Sequence, residues 1–247
     1  MLHGISDWDN AYTNGAHIPR GELWPDAWVA PAKAFRERLG GEGRASLDGA
    51  YGDGPRHRFD VFTPKGSPRG LVVYVHGGYW MRFDKSFWSH LANGPVEAGY
   101  VVAMPSYTLC PDIRIGGIVT EIGKAITTVA SQFAGPIHLT GHSAGGHLAT
   151  RMIAATSPLP AEVRARIGNV VSISGVHDLR PLMRTGMNAT LKLDEQEAYA
   201  ESPALLRPIV GGKADLLGRR CRAGRVHSPE RVAGECVGGA WGDDAEG

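Results

Sequence analysis

The chain has 247 residues, 43% of them hydrophobic and 21% charged, and its 26 basic and 25 acidic side chains leave a formal net charge of +1. These proportions are those of a globular protein with a sizeable core, and they exclude a disordered, coiled-coil or collagen-like chain. The near-balanced charge offers no footprint for nucleic acid or an anionic membrane, and no apolar run approaches the roughly 18 residues of a spanning helix.

The first residues, Met1 to Asp9, have neither a basic start nor an apolar stretch, so no signal peptide is expected and a cytoplasmic protein is the default. Three cysteines, Cys110, Cys221 and Cys236, are too few and too scattered for a disulfide framework.

In chain order, residues 24–38 fit a helix whose start is blurred by Pro25 and Pro31. Residues 58–62 alternate as a strand, and Leu71-Val72-Val73-Tyr74-Val75 is a continuous apolar run of the kind buried on both faces of a sheet. Residues 83–92 read as a short helix and 100–104 as a second buried strand. Ile115, Ile118, Val119, Ile122, Ile126, Val129 and Phe133 recur at helical spacing. Strands at 136–140 and 170–174 then flank a helix at 144–156. Buried strands alternating with helices predict an α/β fold, a mostly parallel sheet covered on both faces, with no linker marking a second domain.

Two motifs carry chemistry. Gly141-His142-Ser143-Ala144-Gly145 is a G-x-S-x-G that follows a strand and opens a helix, the context of a nucleophile elbow. Its turn lifts the Ser143 hydroxyl clear of the backbone and lets the Ala144 amide face a developing oxyanion. The plainer alternative is a serine that caps the helix. His76-Gly77-Gly78-Tyr79-Trp80 follows the most apolar strand. Glycines at 77 and 78 let backbone N–H groups approach a ligand, and a loop of this kind supplies the other half of a hydrolase oxyanion hole. Each motif sits at the C-terminal end of a strand.

Together with Ser174-Gly175-Val176-His177-Asp178-Leu179-Arg180-Pro181-Leu182, these motifs resemble the arylformamidase (kynurenine formamidase) family of α/β-hydrolases, over residues 45–208 or so. The resemblance implies an α/β-hydrolase fold and hydrolysis of N-formyl-kynurenine to kynurenine and formate, with side activity on small aryl esters. It casts Ser143 as nucleophile and Gly77, Gly78 and Ala144 as the oxyanion hole. Tyr79 and Trp80 would lie near the acyl or aryl pocket, or simply pack under the loop. The expected partner is a small formamide or ester, with no cofactor or metal. General carboxylesterase activity, or an impaired remnant that keeps the pocket without the triad, are the alternatives.

A serine nucleophile needs a base, and the base an orienting acid. His142 is expected to pack beside the elbow, His147 to face the core or neighbouring loops, and His76 to brace its loop. His177 and Asp178 stand at the active-site edge as a local acid or brace, and none of these matches the family's triad positions. The family places its acid after the seventh strand, in a stretch resembling W-x-G-x-x-E/D-x-x-E-F-x-R-Q-S, and its histidine later, in a D-H-F-like segment. Neither pattern stands here. Asp215, Asp243 and Asp244 have no supporting context, and His227, the one histidine beyond 177, is only a weak candidate base.

Residues 211–247 hold one aromatic, Trp241, and no Ile, Phe or Tyr. Back-translated through GC-rich codons and read one base later, residues 212–239 can give KLTCWVGAAERAEFIRQSALLANVW, which contains the missing family stretch. The expectation is a single α/β-hydrolase domain over 1–210, C-terminally incomplete, and an aberrant tail over 211–247, out of frame from a shift near 209–212. The alternative is a genuinely divergent C-terminus. On either reading the sheet is expected to be legible as far as its sixth strand, with the seventh and eighth missing or aberrant.

Overall fold

The structure, a computed structural model, describes residues 5–209 and 214–217. Seven strands form one sheet: β1 (Ala45–Ala50), β2 (Arg58–Phe62), β3 (Leu71–Val75), β4 (Val101–Pro105), β5 (Ile137–His142), β6 (Ile167–Ile173) and β7 (Ala214–Leu217), in the order β1-β2-β4-β3-β5-β6-β7. β2 runs antiparallel to both β1 and β4, and every pairing from β4 to β7 is parallel.

The period-2 side-chain rule divides the central strands cleanly between two cores. Leu71, Val73 and Val75 of β3 and Val101 and Ala103 of β4 pack on one face with the helix Ile115–Ala130 and the helix that begins at Ala144. Val72, Tyr74, Val102 and Met104 pack on the other, against Phe35 and Leu39 of the helix Trp24–Gly41 and Trp88, Ala92 and Val96 of the segment 85–97. Both faces being covered is why these strands are apolar throughout.

The order also places the site. From β3 the chain moves to one side, to β4, and then crosses back to add β5 on the other side of β3. The C-terminal ends of β3 and β5 therefore flank a switch point, where open α/β sheets bind ligands. Both chemical motifs begin there.

Several boundaries differ from expectation. The helix expected over 24–38 runs on to Gly41 and carries Pro31 inside it; that residue is exposed, so the carbonyl it leaves without a partner faces water. Residues 85–92 wind as a 3₁₀ helix rather than an α-helix, and the helix expected to reach 156 ends at Arg151. β1 was not legible: ASLDGA has no alternation, and its pairing with β2 is irregular between Ser46 and Gly49.

The largest correction is at the end of the sheet. Ala214–Leu217 adds parallel to β6 as β7, with Val171 opposite Asp215 and Ile173 opposite Leu217. The sheet does not stop at its sixth strand. Most of the expected aberrant tail, with His227, Asp243 and Asp244, lies outside the described residues, as does the frame shift expected near 209–212 except for Ile209.

Candidate active site

Ser143 sits between the end of β5 and the helix Ala144–Arg151, with φ 55° and ψ −120°. A non-glycine residue there stores strain of order 1–3 kcal/mol, which persists only where the surroundings over-determine it. They do so here. The Ser143 amide donates to the Ile173 carbonyl of β6 at 2.8 Å, and the Ser143 carbonyl accepts from the His147 amide at 3.1 Å. The Ser143 side chain makes no capping hydrogen bond, so this is not a plain N-cap serine.

The glycines of the motif are dictated by close approach. A β-carbon on Gly141 would overlap the Gly145 carbonyl, and one on Gly145 would overlap the carbonyl oxygen of Val75, at the end of β3. Only bare backbone lets the helix start this near two strands.

Register brings the second motif to the first. Val75 pairs with Gly141, so Gly77, two residues on, lies beside Ser143. A β-carbon on Gly77 would stand 3.3 Å from the Ser143 β-carbon and 2.6 Å from the His142 carbonyl oxygen. Gly78 has φ 122°, followed by Tyr79 at 55° and Trp80 at 58°. Three successive positive values turn the loop back over the sheet edge, where the Gly78 carbonyl accepts from the amides of Met81 and Arg82 at 3.0 and 2.9 Å. Among the described residues, the amides of Gly77, Gly78 and Ala144 donate to no carbonyl and no side chain.

Of the two aromatics, Trp80 is 1% exposed and packs edge-on against the His147 ring, with centroids 5.2 Å apart. Tyr79 is half-buried. The geometry suits Trp80 to holding the loop and leaves Tyr79 nearer the solvent side.

The histidines near the elbow are occupied or buried. His76 stacks on Tyr107 and its Nδ1 lies 2.8 Å from the Gly77 carbonyl oxygen, while burial pulls its pKa down to about 4. His147 Nε2 bonds the Glu201 carbonyl at 2.7 Å, and burial lowers its pKa to about 3. His177 Nε2 lies 3.2 Å from the Ser172 hydroxyl, and burial lowers its pKa to about 4. His142 is half-buried beside Trp88, its pKa also lowered by burial. None of them, nor any other described histidine, hydrogen-bonds the Ser143 hydroxyl. Asp178 is held by Arg180 through two side-chain bonds, at 2.9 and 2.7 Å. Asp215 is an exposed residue within β7.

A cavity of about 310 Å³ lies elsewhere, between the helix Trp24–Gly41, β2 and the segment after Asp84. Its charged lining is already satisfied within the protein. Lys85 joins Asp48 and Asp60 at 2.7 and 2.8 Å, and Arg56 and Arg58 donate to backbone carbonyls. Among the described residues no group of three or more His, Cys, Asp or Glu could hold a metal ion, and no helix is long and apolar enough to cross a membrane.

Comparison with known proteins agrees with this geometry. The BD-FAE family matches residues 59–207, more than half of the chain and the stretch that carries both motifs. The kynurenine formamidase of Danio rerio is 32% identical over 182 residues, 72% of this chain and 62% of that protein. That of Salmo salar is 33% identical over 184 residues, again 62% of its length, so the chain spans about three-fifths of these relatives. The isoprenylcysteine alpha-carbonyl methylesterase of Arabidopsis thaliana is 30% identical over 191 residues, 68% of this chain and 45% of that protein. A solved structure from Silicibacter sp. TM1040, provisionally named a thioesterase, is 47% identical with TM-score 0.88, covering 95% of this chain and 87% of its own. Esterase B of Lactobacillus rhamnosis shares the fold alone, at 15% identity and TM-score 0.65, over 87% of this chain and 82% of its own. The chain is an α/β-hydrolase of the BD-FAE family, related to the kynurenine formamidases.

Proposed function

We propose that this chain is a serine hydrolase of arylformamidase type, in which Ser143 is the nucleophile. The observation that carries the reading is a strained Ser143 at the switch point of the sheet with Gly77 beside it, where among the described residues the amides of Gly77, Gly78 and Ala144 have no acceptor. Backbone donors held ready in this way stabilise charge that develops in the transition state without having to reorganise. Ser143 Oγ attacks the formyl or acyl carbonyl as its proton passes to a base. The carbonyl oxygen gains the negative charge and sits among the three amides. Collapse expels the amine or alcohol, which takes up the proton, and water then releases formate or the carboxylic acid. N-formyl-kynurenine is the proposed substrate, because relatives over this stretch carry the name kynurenine formamidase.

No described histidine hydrogen-bonds Ser143, so the base is sought among the histidines outside the described residues, and the carboxylate that orients it stays unassigned. His227 is the first residue to test as the base. Resequencing the gene across codons 205–215 tests whether this region is read in frame.

A fluorophosphonate probe should label the protein at Ser143, and Ser143→Ala should abolish labelling. Labelling that survives the substitution would remove Ser143 from the mechanism. Absence of labelling in the native chain would support the second reading, a remnant without its triad. Comparing N-formyl-kynurenine with p-nitrophenyl esters separates a formamidase from a general carboxylesterase.

A further inference from the structure

The segment Ser174 to Leu182 has no task in the chemistry above, yet its first residues lie directly under the elbow. Ser172 of β6 is opposite Gly141 of β5. Its hydroxyl is fully buried, and it fills the point where three parts of the fold meet. A β-carbon on Gly146, in the elbow helix, would come within 2.5 Å of Ser172 Oγ. One on Gly175, in the turn after β6, would overlap the same atom. His177 closes the group, with Nε2 at 3.2 Å from Ser172 Oγ and its own backbone pinned by the Ala204 amide at 3.0 Å. The next residue, Ile173, supplies the carbonyl that receives the Ser143 amide.

We propose that Ser172 and His177 are positioning residues for the elbow: their hydrogen bond fixes the end of β6, and through the Ile173 carbonyl it holds Ser143 in its strained, reactive conformation. Nothing larger than serine fits at 172, because glycine backbone packs on the hydroxyl from two sides. The ring of His177 gives that hydroxyl its partner and ties the turn down. The imidazole is neutral in this role and takes no proton from the substrate or from Ser143. The assignment rests on the reading of Ser143 as nucleophile for its effect on catalysis, but the brace itself can be measured without activity.

The test uses the full chain and the variants Ser172→Ala, His177→Leu and His177→Gln. Hydrogen exchange of the Ser143 amide, referenced to the Val73 amide deep in β3, reads the brace. Fluorophosphonate labelling rate, with kcat and KM on p-nitrophenyl acetate, reads its consequence. Ser172→Ala and His177→Leu should each speed Ser143 exchange about tenfold and slow labelling and kcat about tenfold with KM little changed, since a small misplacement of a reacting group is costly. His177→Gln, whose amide can also bond the hydroxyl, should behave as the native chain, and the double variant Ser172→Ala/His177→Leu should be no worse than either single one. Unchanged Ser143 exchange in both variants overturns the brace, even if the native protein labels normally. So does a Gln variant that behaves as Leu, or a double variant whose effects add. If native Ser143 is not labelled but its amide loses protection in both variants, the brace stands and the hydrolase reading falls.

Discussion

Gly145 has no room for a methyl group. A β-carbon there would sit inside the van der Waals shell of the Val75 carbonyl oxygen, and that atom belongs to a strand locked on both sides. Gly145→Ala should therefore cost at least about 2 kcal/mol, within the range for overpacking a tight interior. Gly40→Ala is the matched control. It lies in the helix Trp24–Gly41 with nothing within 4 Å of its added carbon, so it should gain about 0.5–1 kcal/mol. Urea unfolding of the two variants checks both signs. Gly78 is similarly constrained. In the structure, its φ of 122° and the Arg82 carbonyl beside it make any side chain at 78 distort the loop first. A rate loss in Gly78→Val would thus report loop folding together with the proposed oxyanion hole. The two motifs were legible because their glycines are set by local crowding. The role of Ser172 was not, because nothing in VSIS distinguishes a serine that supports an elbow from one that fills a strand.

At the scale of elements, the 3₁₀ segment Lys85–Ala92 is tied to the sheet by a charged cluster centred on Lys85. Asp60, 1% exposed on β2, pairs with Lys85, whose ammonium also reaches the exposed Asp48. Burial opposes the Lys85 charge, but the two carboxylates outweigh it and hold its pKa above the usual lysine value. Lys85→Met should cost about 3–5 kcal/mol, because it leaves Asp60 buried and unpaired. Asp60→Asn/Lys85→Met should recover much of that loss, whereas Asp48→Asn should cost less than about 1 kcal/mol at its exposed site. Thermal unfolding of the three variants tests the order; a Lys85→Met protein as stable as the native one would show that the pair does not anchor the segment. Among elements, the sequence disclosed those whose burial is continuous or periodic. β3, β4 and the helix Ile115–Ala130 bury apolar side chains at every position their period requires. β1 and β7, the outermost of the described strands, are not legible alone because short outer strands are specified mainly by the neighbour they join. ASLDGA and ADLL carry too little alternation to read alone, and each takes its register from β2 or β6.

For the molecule as a whole, the buried histidines set how folding responds to pH. His76, His147 and His177 have pKa values pulled by burial from an ordinary 6.5 to about 4, about 3 and about 4. Each is neutral in the folded protein down to these values, while the unfolded chain takes up a proton on each below 6.5. Between roughly pH 6 and pH 4 the unfolded state binds more protons, so stability is present above 6.5 and is lost as pH falls through that window. Each histidine contributes on the order of 1 kcal/mol per pH unit, and three together about 4. Most carboxylates stay ionised above pH 5, so the upper part of the window isolates the histidines. Unfolding free energy measured from pH 7 to pH 5 should fall once below 6.5, and His177→Gln should make that slope shallower. A flat profile between pH 6.5 and pH 5 would mean that these rings titrate alike in the folded and unfolded chains, and that the ground beneath the elbow is open to water. The same three rings lie beside the loop at 77–80, on the helix after Ser143 and under Ser172, so if Ser143 is the proposed nucleophile, the pH at which the fold loosens should also be where it loses its reactivity toward the probe.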